Sequence, residues 1–166
     1  SSIIMTAVHA GVSMGKAEDL ESMMTIRTLY LNDHSNPDDS VRRFVTAILL
    51  DLNKEGGFEY VNAGHEYPVL LSDDGPVELK GNDVLLGFIP EASYLKRYCN
   101  LKKNDVLLLY TDGITEAAKD GDHFGLERLK EIAMDQRTQP SEAIVKSIFK
   151  EIESYQDLKD DRTIVS

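Results

Sequence analysis

An α+β fold is predicted by three features of the sequence. Helical periodicity occupies both ends of the chain, short β-branched runs separated by turn residues fill its middle, and a last β-branched stretch closes it. The 166 residues suffice for one domain, and a hydrophobic fraction of 42% supplies a core and rules out global disorder.

The elements follow in order. Ile3, Ile4, Ala7, Val8 and Val12 recur at helical spacing up to Gly15 and predict a first helix. A second is expected over 17–31, where Leu20, Met23, Met24, Ile26 and Tyr30 form a broad apolar face that reads as core packing. The turn formers of 32–40 end it. Phe44–Leu52 is β-branched and apolar, 53–57 turns the chain, and Phe58–Asn62 alternates, so the pair reads as a hairpin with a loop of about five residues. Pro68–Leu71 is a third strand, and Asp73–Pro76 turns it into Val77–Leu79. A strand around Arg97–Leu101 precedes Val106–Thr111, whose apolar run suits a strand covered on both faces. Leu126, Leu129, Ile132 and Ala133 mark one helix face. Pro140 opens a further helix with Ile144, Ile148, Ile152 and Tyr155 on one stripe. Asp160-Asp161 is an acidic turn that enters a last strand at Thr163–Val165. There is no internal repeat, low-complexity tract or linker, so residues 1–166 read as a single domain.

Charge and composition narrow the function. Lys plus Arg number 18 against 29 Asp plus Glu, a net charge of −11. That balance argues against a sequence-independent nucleic-acid binder and against docking to an anionic membrane. No apolar stretch approaches the roughly 18 residues of a membrane span, and no secretory signal is visible. A single cysteine, Cys99, excludes an intrachain disulfide framework and a multi-cysteine zinc site. A reduced, soluble, cytoplasmic domain is expected. The start, Ser1-Ser2-Ile3-Ile4-Met5, lacks an initiator Met and a polar lead-in, so the chain is expected to be cut from something longer.

Few residues invite chemistry. Asp112 ends the apolar run 106–111 and is followed by Gly113, which lets backbone or ligand approach closely. The plainer alternative is a helix N-cap. Asp160 and Asp161 are either a solvated turn or, combined with Asp112, carboxylates converging from neighbouring strand ends. Such a set suits Mg²⁺ or Mn²⁺ and not zinc. His9, His34, His65 and His123 do not form a metal set by spacing, and His65, in Asn62-Ala63-Gly64-His65, reads as a turn residue. Cys99 reads as a core residue of its strand. No P-loop, dinucleotide-binding, nucleophile-elbow or zincin motif is present.

An ordered set of segments carries a resemblance over nearly the whole chain. It comprises Arg43–Ala47, Tyr60–His65, Leu86-Gly87, Asp105–Ala117, Phe124–Leu129 and Asp160–Thr163. In this order and spacing they resemble the bacterial PPM-type (PP2C-like) serine/threonine phosphatases of the SpoIIE/RsbU kind. The resemblance implies an α/β/β/α four-layer sandwich of mainly antiparallel sheets, and a dinuclear Mn²⁺ or Mg²⁺ centre. It makes Asp112 a ligand, Asp160 the preferred ligand of the terminal pair and Asp161 its alternative. Asn62 and His65 become fold-supporting residues. The implied reaction is hydrolysis of phosphoserine or phosphothreonine on a partner protein by metal-activated water. The implied partner is a phosphorylated anti-anti-sigma (STAS-type) protein, with an upstream sensor or receiver domain in control and homodimerisation left open. The Asp-x-x-Gly-(His or Lys)-Gly segment of similar proteins has no counterpart in this sequence, so the domain is expected to be N-terminally incomplete. Little activity is then expected of the isolated chain. Two rivals stand beside this reading. One is a catalytically inactive PPM-like regulatory or binding module. The other is an acidic domain acting through its Met-rich second helix.

Overall fold

The computed structural model describes residues 4–12, 44–53, 55–81, 83–89, 91–155 and 164–165. Its strands are β1 (Ile4–Val12), β2 (Phe44–Leu52), β3 (Gly57–Ala63), β4 (Val69–Ser72), β5 (Gly75–Glu78), β6 (Arg97–Asn100), β7 (Val106–Tyr110), β8 (Ala118–Lys119), β9 (Asp122–His123) and β10 (Ile164–Val165). Its helices are α1 (Asp112–Thr115), α2 (Leu126–Asp135) and α3 (Ser141–Ile152). They fall into two units. One comprises Ser1–His65 and Gly81–Asn100, the other Glu66–Lys80 and Leu101–Ser166.

The first unit holds a sheet in the order β1-β2-β3-β6. β1 runs parallel to β2, with Ile4 opposite Phe44 and Val12 opposite Leu52. The first helix expected from periodicity is therefore corrected to a strand. Its apolar residues fit a helical period, but Ile4, Thr6, Val8 and Val12 are β-branched at alternate positions. A ladder to β2 then outweighs a weak local preference. The sheet is accordingly mixed, not wholly antiparallel. The second expected helix and the turn after it lie outside the described residues.

The β2–β3 hairpin follows the sequence reading closely. Leu52 pairs with Phe58, and 53–57 forms the loop. Asn53 builds the turn, its Oδ1 accepting the N–H groups of Glu55 and Gly57, each at 2.9 Å. Gly56 takes φ 88°, which a side chain would strain. Ala47, Val61 and Ala63 on one face of the pair are buried with Leu86, Ala92 and Tyr94. Ile48, Leu50, Phe58 and Tyr60 on the other face are buried as well. The excursion 81–96 is stitched to this sheet by paired bonds between Val45 and Leu86, at 3.1 and 2.9 Å. A forked ion pair closes it. Arg97 donates to both oxygens of Asp83, at 3.0 and 3.1 Å, and Asp83 also accepts the Leu95 N–H at 3.0 Å.

The second unit holds a sheet in the order β10-β7-β4-β5 and the three helices. β4 and β5 join through a two-residue turn, Asp73-Asp74, whose tip Asp73 is held by Arg137 just beyond α2. Arg137 also donates to the Asn104 carbonyl at 3.0 Å. β8 and β9 join through Asp120-Gly121, with φ of 53° and 86°. Positive φ at both central residues is the Asp-Gly hairpin turn that matches strand twist, and this hairpin was not anticipated as strands. Helix α3 presents Ile144, Ile148 and Ile152 at a spacing of four, all fully buried. They pack with Val69, Leu71, Leu108, Tyr110 and Leu129, and Phe124 meets Tyr155 edge to face at 5.5 Å.

Three substitutions test the packing within the units. Ile148→Ala is expected to cost about 3 kcal/mol by removing buried methyl groups and leaving a cavity, read as a lower urea midpoint at unchanged slope. Gly81 has φ +135°, and a Cβ there would stand 2.0 Å from Arg97 Nε. Gly81→Ala therefore breaks the Asp83 fork. It should destabilise by about 2 kcal/mol, whereas Gly121→Ala, where a Cβ meets nothing within 4 Å, should bear only the strain of its own φ.

Candidate functional site

Asp112 stands where the sequence placed it, at the carboxyl end of a buried strand. Leu108, Leu109, Tyr110 and Thr111 are buried, and Asp112 is exposed. Thr111 occupies the N-cap position of α1 and Asp112 its first turn. Asp112 is therefore not the N-cap that the alternative reading made it, although its Oδ1 accepts the Gly113 N–H at 2.9 Å. The single helical turn is closed by the Glu116 N–H on the Asp112 carbonyl at 2.8 Å and by Thr115 Oγ1 on the same oxygen at 3.1 Å. Ile114 anchors it from beneath, fully buried in the core of the unit.

Two further carboxylates accompany Asp112. Glu66 is held above the ordinary carboxylate range, first by partial desolvation and then by the charges of Asp112, Glu116 and Glu78. Burial, then Glu66 and Glu78, likewise push the Tyr110 hydroxyl well above its usual range. Asp112 and Glu116 thus contribute to the negative field that Glu66 feels, and carboxylate oxygens are the donor type that hard divalent cations take. Sequence reasoning missed Glu116 and Glu66. The first was legible as the residue one helical turn after Asp112, while the second, beside His65, gave no signal.

Other expectations resolve as follows. Asp160 and Asp161 lie outside the described residues. Among those described, no three His, Cys, Asp or Glu side chains are placed to hold a metal together. Asn62, fully buried, brackets the turn after β3. Its Oδ1 accepts the His65 N–H at 2.8 Å, and its Nδ2 donates to the His65 carbonyl at 3.0 Å. That geometry is a turn device made of the Asn62 side chain and the His65 backbone. Cys99 is corrected from core to partly exposed. It lines a cleft of about 590 Å³ with Asp51, Asn53, Glu59, Tyr98 and Asn100. Edge strand β6 alternates between half-buried and exposed positions, so Cys99 is not enclosed.

Solved structures define the fold. The phosphatase domain of SpoIIE from Bacillus subtilis, presoaked with manganese, superposes with a TM-score of 0.60 at 18% identity, covering 87% of this chain and 60% of that one. RsbX in complex with magnesium superposes at 0.59 and 18% identity, covering 89% and 62%. The fold is that of the PP2C-type phosphatases, an α+β architecture. The family model described as Stage II sporulation protein E (SpoIIE) matches residues 1–166, and the chain belongs to that family. Phosphoserine phosphatase RsbU of Bacillus subtilis (strain 168) is 26% identical over 127 residues, which cover 74% of this chain and 38% of that protein. The chain thus spans under two-fifths of this relative's length.

A second polar cluster supports the site's unit and yields a pH prediction. Lys130 is buried on α2, its Nζ bonded to Glu78 Oε1 at 2.7 Å and to Glu127 Oε1 at 2.8 Å. The bond from Lys130 holds Glu78 below its ordinary value of 4.5. Burial alone would lower Lys130, but the two carboxylates outweigh it and raise the ammonium above 10.5. Glu78 therefore adds stability that is present above 4.5 and lost as pH falls through its lowered folded value. Glu78→Gln should cost about 1 kcal/mol at neutral pH. In paired urea titrations across the acid range, that cost should vanish once the wild-type carboxyl is protonated.

Proposed function

We propose that residues 1–166 form one phosphatase module of the RsbU/SpoIIE type, hydrolysing phosphoserine or phosphothreonine on a partner protein. Membership of the SpoIIE family and the PP2C-type fold support a serine phosphatase. The observation that carries the site assignment is Asp112, exposed at the end of a buried strand, on a fastened turn, amid other carboxylates.

The residues present suit Mn²⁺ or Mg²⁺, since the donors are hard oxygens in a negative field. Asp112 would hold the ion together with Asp160, or with Asp161 as the alternative. Two such ions, when bound, supply an activated water and neutralise charge on the phosphoryl oxygens. The protein's own part is positional. Burial of Ile114 and the bonds on the Asp112 carbonyl fix where the carboxylate points, and the negative field of Glu66 and Glu116 favours cations over free anions. No serine or cysteine nucleophile is needed. The resemblance to RsbU supports a phosphorylated STAS-type protein as substrate. Among the described residues no helix is long and apolar enough to cross a membrane.

Asp112→Ala in the full-length protein should lower Mn²⁺-dependent hydrolysis of p-nitrophenyl phosphate and of a phosphorylated STAS-type protein by about 100-fold or more. Comparing Asp160→Ala with Asp161→Ala assigns the second ligand, because only one should match that loss. Binding of the phosphoprotein without turnover would overturn the enzyme reading in favour of a catalytically inactive regulatory module.

A further inference from the structure

The turn that carries Asp112 is closed from behind by the β8–β9 hairpin. Three consecutive carbonyls at and beyond the end of α1 each accept a donor from the three consecutive residues 123–125. The Gly125 N–H reaches the Thr115 carbonyl at 2.9 Å, and the Phe124 N–H reaches the Ala117 carbonyl at 2.7 Å. The Glu116 carbonyl between them is met by a side chain, His123 Nδ1, at 3.2 Å. A carbonyl only accepts, so Nδ1 carries the proton in this contact. A one-turn helix holds almost none of its own C-terminal carbonyls and depends on such outside donors.

The contact bears on Asp112 through a short path. Glu116 receives His123 on its carbonyl and gives its own N–H to the Asp112 carbonyl at 2.8 Å. Holding Glu116 therefore holds the peptide that orients the Asp112 carboxylate. His123 itself is exposed and has no share in the apolar core, so its removal opens no cavity. We infer that His123 is a positioning residue for the Asp112 carboxylate, acting through the Glu116 carbonyl by which the β8–β9 hairpin is latched to α1. The inference rests on the reading of Asp112 as a metal ligand.

The test uses the full-length protein with His123→Ala, His123→Asn and Asp112→Ala. The side-chain nitrogen of asparagine can stand where ring Nδ1 stands and donate the same bond. Two quantities are measured: amide hydrogen exchange of residues 112–117 in metal-free protein, and Mn²⁺ affinity by calorimetry. His123→Ala should speed exchange of the Glu116 amide and weaken Mn²⁺ binding, each by about fivefold, the worth of one ordinary hydrogen bond. Its urea midpoint should fall by no more than that one bond is worth, since no cavity is opened, and His123→Asn should restore both quantities. Wild-type exchange and affinity in His123→Ala, or failure of His123→Asn to restore them, would overturn the positioning role. If Asp112→Ala binds Mn²⁺ as the wild type does, the ligand reading itself fails, a result distinct from the first.

Discussion

The second unit is organised by an abrupt passage from burial to solvent. Tyr110 and Thr111 are almost wholly enclosed, Asp112 is exposed, and Ile114 is enclosed again. A charged group can be offered at the end of a strand covered on both faces only if the chain turns at once and re-enters the core. Gly113 makes the turn compact, and Ile114 restores the apolar anchorage. Much else in the unit answers to this requirement. The isoleucine ladder of α3 forms the cover over β4 and β7, and the 117–125 segment secures the turn from its far side.

The first unit solves a different problem with similar means. Its excursion 81–96, just before β6, has little regular structure of its own, and polar bonds hold it in place. Asp83 takes three donors from Arg97 and Leu95. Partly buried charges are tolerable there because both are matched. The close approach of the guanidinium to Gly81 shows how little room the arrangement leaves.

Legibility in the sequence followed the physics of each segment. Hairpin β2–β3 could be read because its cause is local, an Asn-anchored loop between alternating strands. Helices α2 and α3 could be read because burial imposes a period of 3.6. β1 was misread because alternate β-branched residues also satisfied a helical count, and only pairing with β2, forty residues away, decides between them. Hairpin β8–β9 was missed because two-residue strands carry almost no pattern, although Asp120-Gly121 announced the turn. At the site, Asp112 showed itself through the strand it terminates. Glu66 did not, since its relation to Asp112 is made by the fold across 46 positions of chain, which no local spacing encodes.

Strand β5 shows how the sheet of the second unit ends. Among the described residues it is an outermost strand of its sheet, and its pairing with β4 starts at Ser72 opposite Gly75. In a two-residue hairpin that first pair shares the ladder bonds, so the next residue, Pro76, turns its nitrogen away from β4. Proline has no hydrogen to offer there, and the outward carbonyl of Glu78 already accepts the Lys80 N–H at 2.9 Å. The free rim thus lacks one donor and has one acceptor occupied within a strand of four residues. A stray extended peptide finds too few partners along β5 to lengthen the sheet there, so this margin is a poor seed for aggregation.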